Sequence, residues 1–343
     1  MPADSTIDPV GLHPRLTPFL TDHAEAADLF LKCAAANRMH HAWLLTGPKG
    51  IGKATFAYHC ARYLLKGGSG KTLAVPEDDP LFARIAAGAE GNLKSIERGV
   101  NEKTGRMRQE IVVDDIRALH DFFEMTGANE GWRVAVIDTA DALNRSAANA
   151  LLKMLEEPPK KTVLFLISNA RGRLPATIRS RCQQVLLNPL TDEDVAGVLQ
   201  KRVPGLDEGE VATLSRLSGG APGFAVRLAL YKGLTLFETA SRLLDGKGAA
   251  TRMRHDLASD LGAVNADEKY FLFLDILKHE LSVRIRKEAA EGRKSPLERY
   301  LGLWDKVDHI QRAGEGLKLG RKAQLLLLFD DMAVSDKESP EAA

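Results

Sequence analysis

Residues 42–53 read Ala42-Trp43-Leu44-Leu45-Thr46-Gly47-Pro48-Lys49-Gly50-Ile51-Gly52-Lys53 and run directly into Ala54-Thr55-Phe56-Ala57-Tyr58. The apolar run 42–46 has the length of a buried strand, and the apolar residues after Lys53 recur at helical spacing. Strand, glycine loop and helix in that order predict a phosphate-binding turn. Gly47, Gly50 and Gly52 let backbone amides turn inward, Lys53 reaches for terminal phosphates, and the helix N-terminus adds partial positive charge. The position after the lysine calls for Ser or Thr, whose hydroxyl ligates the Mg²⁺ that bridges the β- and γ-phosphates. Here it is Ala54. Thr55 follows one residue later, and on a helix that swings its side chain about 100° away. Loss of productive Mg-nucleotide binding is the expectation, and a loop kept without metal chemistry still makes a tight strand-to-helix turn.

Further strands are expected at 111–113, 133–138, 162–168 and 183–187, with helical patterns between them and the 146–157 pattern stopped by Pro158 and Pro159. Continuous apolar strands alternating with amphipathic helices predict an α/β domain with a parallel sheet covered on both faces. The domain reading is a lead-in at 1–20, the α/β domain at 21–189, a small helical lid at 190–232, an all-α domain at 233–334 and a disordered polar tail at 335–343. Residues 66–110, Gly-rich and weakly periodic, read as an insertion in the α/β domain.

The strand 133–138 ends in Asp138, where a carboxylate at a sheet edge holds Mg²⁺ through water. The residue after it, where a water-activating Glu would stand, is Thr139. A threonine hydroxyl is no general base at neutral pH, and Asp141 is expected to point elsewhere on the turn. The plain alternative for Asp138 is a polar strand end or a helix cap. Ser168-Asn169 lie where a polar sensor residue contacts a γ-phosphate or water. Beyond them Ser180-Arg181-Cys182, with Arg179 beside it, precedes a strand. An arginine supplied across a subunit interface stabilises transition-state charge on a neighbour's nucleotide. In an isolated loop the same residue is a solvated charge or a salt-bridge partner.

Of the 343 residues, 47 are Lys or Arg and 46 are Asp or Glu, a net charge of +1 that supplies no global pull toward nucleic acid or an anionic membrane. Arg284, Arg286, Lys287, Arg293 and Lys294 are interleaved with Glu280, Glu288 and Glu291, as on a solvated helix face. Cys33, Cys60 and Cys182 lie too far apart in sequence for a zinc knuckle or redox pair. With no basic, apolar leader and no run long enough to span a bilayer, a cytoplasmic protein without membrane partners is expected.

GPKGIGK, VAVIDTADAL, AANALLKMLEEPP and TIRSRC, in this order and spacing, resemble the AAA+ module of bacterial clamp-loader subunits of DNA polymerase III, over roughly residues 15–235. The LLKMLEEPP segment and the Ser-Arg-Cys triplet are specific to that family, whereas the glycine loop alone is generic. The resemblance implies a five-stranded parallel sheet between helices, a helical lid and a C-terminal helical collar. Ala54, Thr139 and Gly223, the last standing where motor subunits carry a lid arginine, resemble the delta-prime type rather than the gamma/tau motors. So does the opening HHAWLLTGPKG at 40–50. Arg227, one turn on, is a partial substitute for that arginine.

The resemblance further implies a stator without ATPase activity of its own, acting within the polymerase III holoenzyme. By the same resemblance Arg181 completes the ATP site of a neighbour, and Gly47, Gly50, Gly52, Lys53, Thr55 and Asp138 form a degenerate nucleotide site. The implied partners are gamma/tau and delta subunits and, through the assembly, the sliding clamp and primer-template DNA. No cofactor is required, and weak ATP binding without hydrolysis stays open. Many relatives carry a four-cysteine zinc module, but residues 61–137 contain no cysteine, so no zinc is expected. The competing readings are an active gamma/tau-like ATPase, which would have to repair two catalytic positions, a small-molecule P-loop kinase, and a pure binding module in which Arg181 is structural.

Overall fold

The computed structural model describes residues 13–99, 108–124, 131–245, 251–263, 265–313 and 320–334. The expected tail at 335–343 and most of the lead-in fall outside them. The chain divides into two compact units, 1–225 and 226–343.

In the first unit β1 (Ala42–Thr46), β2 (Leu93–Ile96), β3 (Arg133–Ile137), β4 (Thr162–Ser168) and β5 (Gln183–Leu186) form one parallel sheet in the order β2-β3-β4-β1-β5. Ala42 pairs with Leu164 and Thr46 with Ser168, and on the other side of β1 Trp43 pairs with Gln183. Alternate residues of β1 feed opposite faces because side chains on a strand alternate. Ala42 and Leu44 pack with buried residues of α4 (Val113–Glu124) and α5 (Arg145–Glu156), among them Leu119 and Leu151. Trp43 meets Phe30 of α1 (Ala24–Ala35), ring centroids 5.1 Å apart, and Phe30 also meets Tyr63 of α2 (Lys53–Leu65) and Phe165 of β4. The sheet is thus covered on both faces, as its continuous apolar strands require.

Two features differ from the sequence reading. The strand expected at 111–113 reduces to a single bridge between Ile111 and Leu143. The fifth strand is β2, which lies with α3 (Pro80–Ala86) inside the stretch 66–110 read as an insertion. As an edge strand it buries only Ile96 of Leu93-Lys94-Ser95-Ile96, so it lacks the apolar run that marks its neighbours. The short α6 (Ala176–Arg179) leads into β5, and beyond that strand come α7 (Asp192–Arg202), α8 (Glu208–Leu217) and α9 (Pro222–Leu230). Thr191 caps α7, and Asp207 with Glu210 forms a capping box on α8. The division between the two units falls within α9, short of the 232/233 boundary expected from sequence.

The second unit is helical among its described residues: α10 (Gly233–Leu244), α11 (Thr251–Leu261), α12 (Asp267–Ala290), α13 (Lys294–Ala313) and α14 (Arg321–Val334). Tyr270, Phe273, Leu274, Ile276, Leu277 and Leu281 bury the central helix α12, with Phe273 edge-on to Phe329 of α14. Of the basic residues near the end of α12, Arg284 bridges to Asp245 and Glu280, and Arg293 to Glu288 and Glu291. The solvated helix face expected from sequence is met only in part, because the side chains of Arg284, Glu280 and Glu288 are 17%, 12% and 10% exposed and their charges are paired within the protein.

Buried His59 on α2 carries a testable consequence. It is 1% exposed, and burial first, then the charge of Arg62, lowers its pKa from 6.5 to about 4. The folded pKa lies below the unfolded one, so stability is intact above about pH 6.5 and declines from there to about pH 4, by roughly 3 kcal/mol in all. We expect His59→Leu to remove this component. Urea midpoints of both proteins at about pH 7.5 and about pH 4.5 check it; an equal acid dependence would show that His59 is not buried as the neutral imidazole.

Candidate functional site

The glycine loop closes tightly upon its own chain. Gly47 has φ 142°, and a Cβ there would lie 2.4 Å from the Leu187 carbonyl oxygen, so no side chain is tolerated without backbone movement. Gly52, at φ 101°, caps α2. Lys53 is 4% exposed. Its Nζ donates to the carbonyl oxygens of Gly47 at 2.9 Å and Pro48 at 2.6 Å. Burial lowers its pKa to about 8, and the charges of Asp138 and Asp141 oppose that shift. Held in this way, the lysine satisfies its ammonium with the loop itself.

Two further contacts, unforeseen from sequence, pin the loop. His23 Nε2 lies 2.9 Å from the Ile51 carbonyl oxygen, and the Gly223 amide donates to the Gly50 carbonyl at 2.8 Å. A Cβ on Gly223 would approach the Gly50 carbonyl oxygen to 3.1 Å, tighter than ordinary contact. Residue 223 therefore packs as bare backbone against the loop. Arg227, the partial substitute for a lid arginine, ion-pairs instead with Asp275 of α12 at 2.6 Å.

At the C-terminal edge of the sheet, Asp138 follows β3 and its amide donates to the Ile96 carbonyl at 2.9 Å. Glu97, next along β2, thereby becomes its neighbour. Burial, followed by the charge of Glu97, raises the pKa of Asp138, while the Thr139 amide and Lys53 work the other way. Glu97 is itself held low, chiefly by its hydrogen bond with His13 Nε2 at 3.0 Å, and Ser95 Oγ donates to it at 3.3 Å. Glu97 escaped the sequence reading because β2 did, and with it the register that sets 96 opposite 137. Thr139 sits in the left-handed region at φ 61°. Asp141 Oδ1 accepts the Asn169 amide at 3.0 Å, which turns it onto the neighbouring strand end.

A metal-bound nucleotide does not fit this residue set. Position 54 has no hydroxyl for the ion, Thr55 is half-buried one position further along α2, and position 139 has no carboxylate. The lysine and the Asp138 edge are present; a hydroxyl at position 54 and a carboxylate at position 139 are not.

Arg181 lies between α6 and β5. Its Nη1 donates to the Thr177 carbonyl at 3.0 Å, and its Nη2 lies 2.8 Å from Glu156 Oε1, at the end of α5. The two side chains remain 37% and 51% exposed. Cys182 beside it is buried and donates to the Ile178 carbonyl; burial pushes its thiol up to about 12, so it packs rather than reacts.

The family model described as DNA polymerase III, delta subunit, matches residues 22–191. The delta′ subunit of DNA polymerase III from Pseudomonas aeruginosa is 38% identical over 195 residues, which cover 55% of this chain and 55% of that protein. The delta′ subunit from Escherichia coli is 33% identical over 206 residues, 58% of this chain and 56% of that protein. The tau subunit from Escherichia coli is 34% identical over 289 residues, 80% of this chain and 41% of tau. The chain spans about half the length of these relatives.

Proposed function

This chain belongs to the DNA polymerase III clamp-loader family, and we propose that within it the chain is a delta′-type stator that hydrolyses no ATP itself. The observation that carries this reading is the pairing of an emptied catalytic set with an available arginine. Ala54, Thr139 and Gly223 occupy three positions that hydrolysis needs, while Arg181 stays 37% exposed. By this reading Arg181 enters the ATP site of an adjacent gamma/tau subunit and neutralises charge on the transferring phosphoryl group. The helices from α10 onward join a collar with the other subunits, delta included, and the assembly places a sliding clamp on primed DNA in the cytoplasm. The second unit supplies the exposed apolar side chains Val283, Leu301 and Leu327 that such a contact would cover.

The active-motor reading draws on the long match to tau. It would need a metal ligand other than a residue-54 hydroxyl and a base other than a residue-139 carboxylate. We expect the purified chain to show no ATP hydrolysis above background and Lys53→Ala to change nothing. The same chain mixed with the motor and delta subunits of its organism, clamp and primed DNA should give turnover. Steady hydrolysis by the chain alone, abolished by Lys53→Ala, would establish the motor instead.

A further inference from the structure

Arg181 does not hang free. One terminal nitrogen donates to the Thr177 carbonyl of α6 at 3.0 Å, and the other is ion-paired with the Glu156 carboxylate of α5 at 2.8 Å. The hydrogen bond and the ion pair restrain the two ends of the fork and leave the side chain 37% exposed. An arginine side chain left unrestrained must be ordered each time it meets a phosphate, and that ordering opposes the transition state.

We propose that Glu156 is a positioning residue, which holds the Arg181 fork in the orientation it needs to meet the phosphate oxygens of a nucleotide bound by the neighbouring subunit. The proposal rests on the reading of Arg181 as trans-acting. Glu156 is not a lock on the arginine: an ion pair this exposed is too weak to withhold a guanidinium from a polyanionic phosphate. Its contribution is geometric, and an uncharged oxygen at the same place supplies most of it.

Full-length variants in the clamp loader assembled from the same organism's motor and delta subunits, with clamp and primed DNA, test this through ATPase rates across a range of ATP concentrations. Glu156→Ala should lower kcat on the order of 10-fold, short of the ~10²-fold cost of a 1 Å misplacement, with KM for ATP unchanged. Glu156→Gln, which keeps an oxygen acceptor for Nη2, should recover most of the rate. In an Arg181→Ala background, Glu156→Ala should cost nothing further, since the residue acts through the arginine. A Glu156→Ala assembly as fast as wild type or faster, an additive loss in the Arg181→Ala background, or a Glu156→Gln variant as slow as Glu156→Ala would each overturn the proposal. If Arg181→Ala itself runs at the wild-type rate, the trans-arginine reading has failed beneath it. An impaired Arg181→Ala with an unimpaired Glu156→Ala locates the failure in Glu156 alone.

Discussion

In an assembly carrying Arg181→Ala, the neighbouring ATP site that this chain is proposed to complete should lose on the order of 10³-fold or more in hydrolysis rate, the scale of a trans-acting arginine. The loss comes from charge left uncompensated on the transferring phosphoryl oxygens, so it falls on kcat. DNA-stimulated turnover of the whole assembly should drop by that site's share, and clamp loading with it. Arg181→Lys should not restore the rate, because a point charge on a flexible stem lacks the planar fork that meets two oxygens at once. Assembly itself should survive: the side chain is anchored by the Thr177 carbonyl and the half-exposed Glu156, and an exposed pair contributes about 0–1 kcal/mol. Size-exclusion chromatography with ATPase and clamp-loading assays on the same preparation check both parts. Normal turnover by an intact Arg181→Ala assembly would sink the trans role.

The largest stability loss is expected at Arg62. Its side chain is fully buried on α2 at 0% exposure. Nη1 donates to the Thr17 carbonyl at 2.9 Å, Nη2 donates to the Arg15 carbonyl, and the guanidinium lies 4.5 Å from the Phe82 ring centroid. This one group ties residues 13–17 to the helix that follows the glycine loop. Arg62→Ala should destabilise the first unit by about 3–5 kcal/mol, since hydrogen bonds from a charged donor contribute about 1.5–3 kcal/mol each and the stacking is lost as well. Arg62→Met, which keeps much of the volume, should recover only the packing part. Urea unfolding measures the loss, and limited trypsin digestion gives an independent readout, because the bond after Arg15 should become cleavable in the folded protein. A loss under about 1 kcal/mol with Arg15 still protected would show that water or rearranged backbone replaces the guanidinium.

How far the sequence could be read depended on the range of the interactions involved. β1, the glycine loop and the start of α2 were legible because each rests on neighbours in sequence: an apolar run, glycines at loop positions, and helical spacing after Lys53. β3, β4 and β5 were legible for the same reason. β2 was not, since an edge strand that buries only Ile96 needs no apolar pattern, and its place is set by pairing with β3. The bridge at Ile111 shows the reverse error, an apolar triplet that looks like a strand but pairs only at Leu143.

For the candidate site, the sequence by itself determined which chemical groups are present and which are missing. Ala54 has no hydroxyl, Thr139 no carboxylate and Gly223 no guanidinium under any fold, and Arg181 stands between Ser180 and Cys182. Only the tertiary structure decided what the remaining groups meet. The turn of the loop brings the carbonyls of Gly47 and Pro48 to Lys53, the β2–β3 register sets Glu97 beside Asp138, the docking of α9 lays Gly223 on Gly50, and the end of α5 brings Glu156 to Arg181. Absence of a functional group is a property of one residue, whereas electrostatics and orientation belong to groups brought within a few ångströms by packing, which local pattern does not specify.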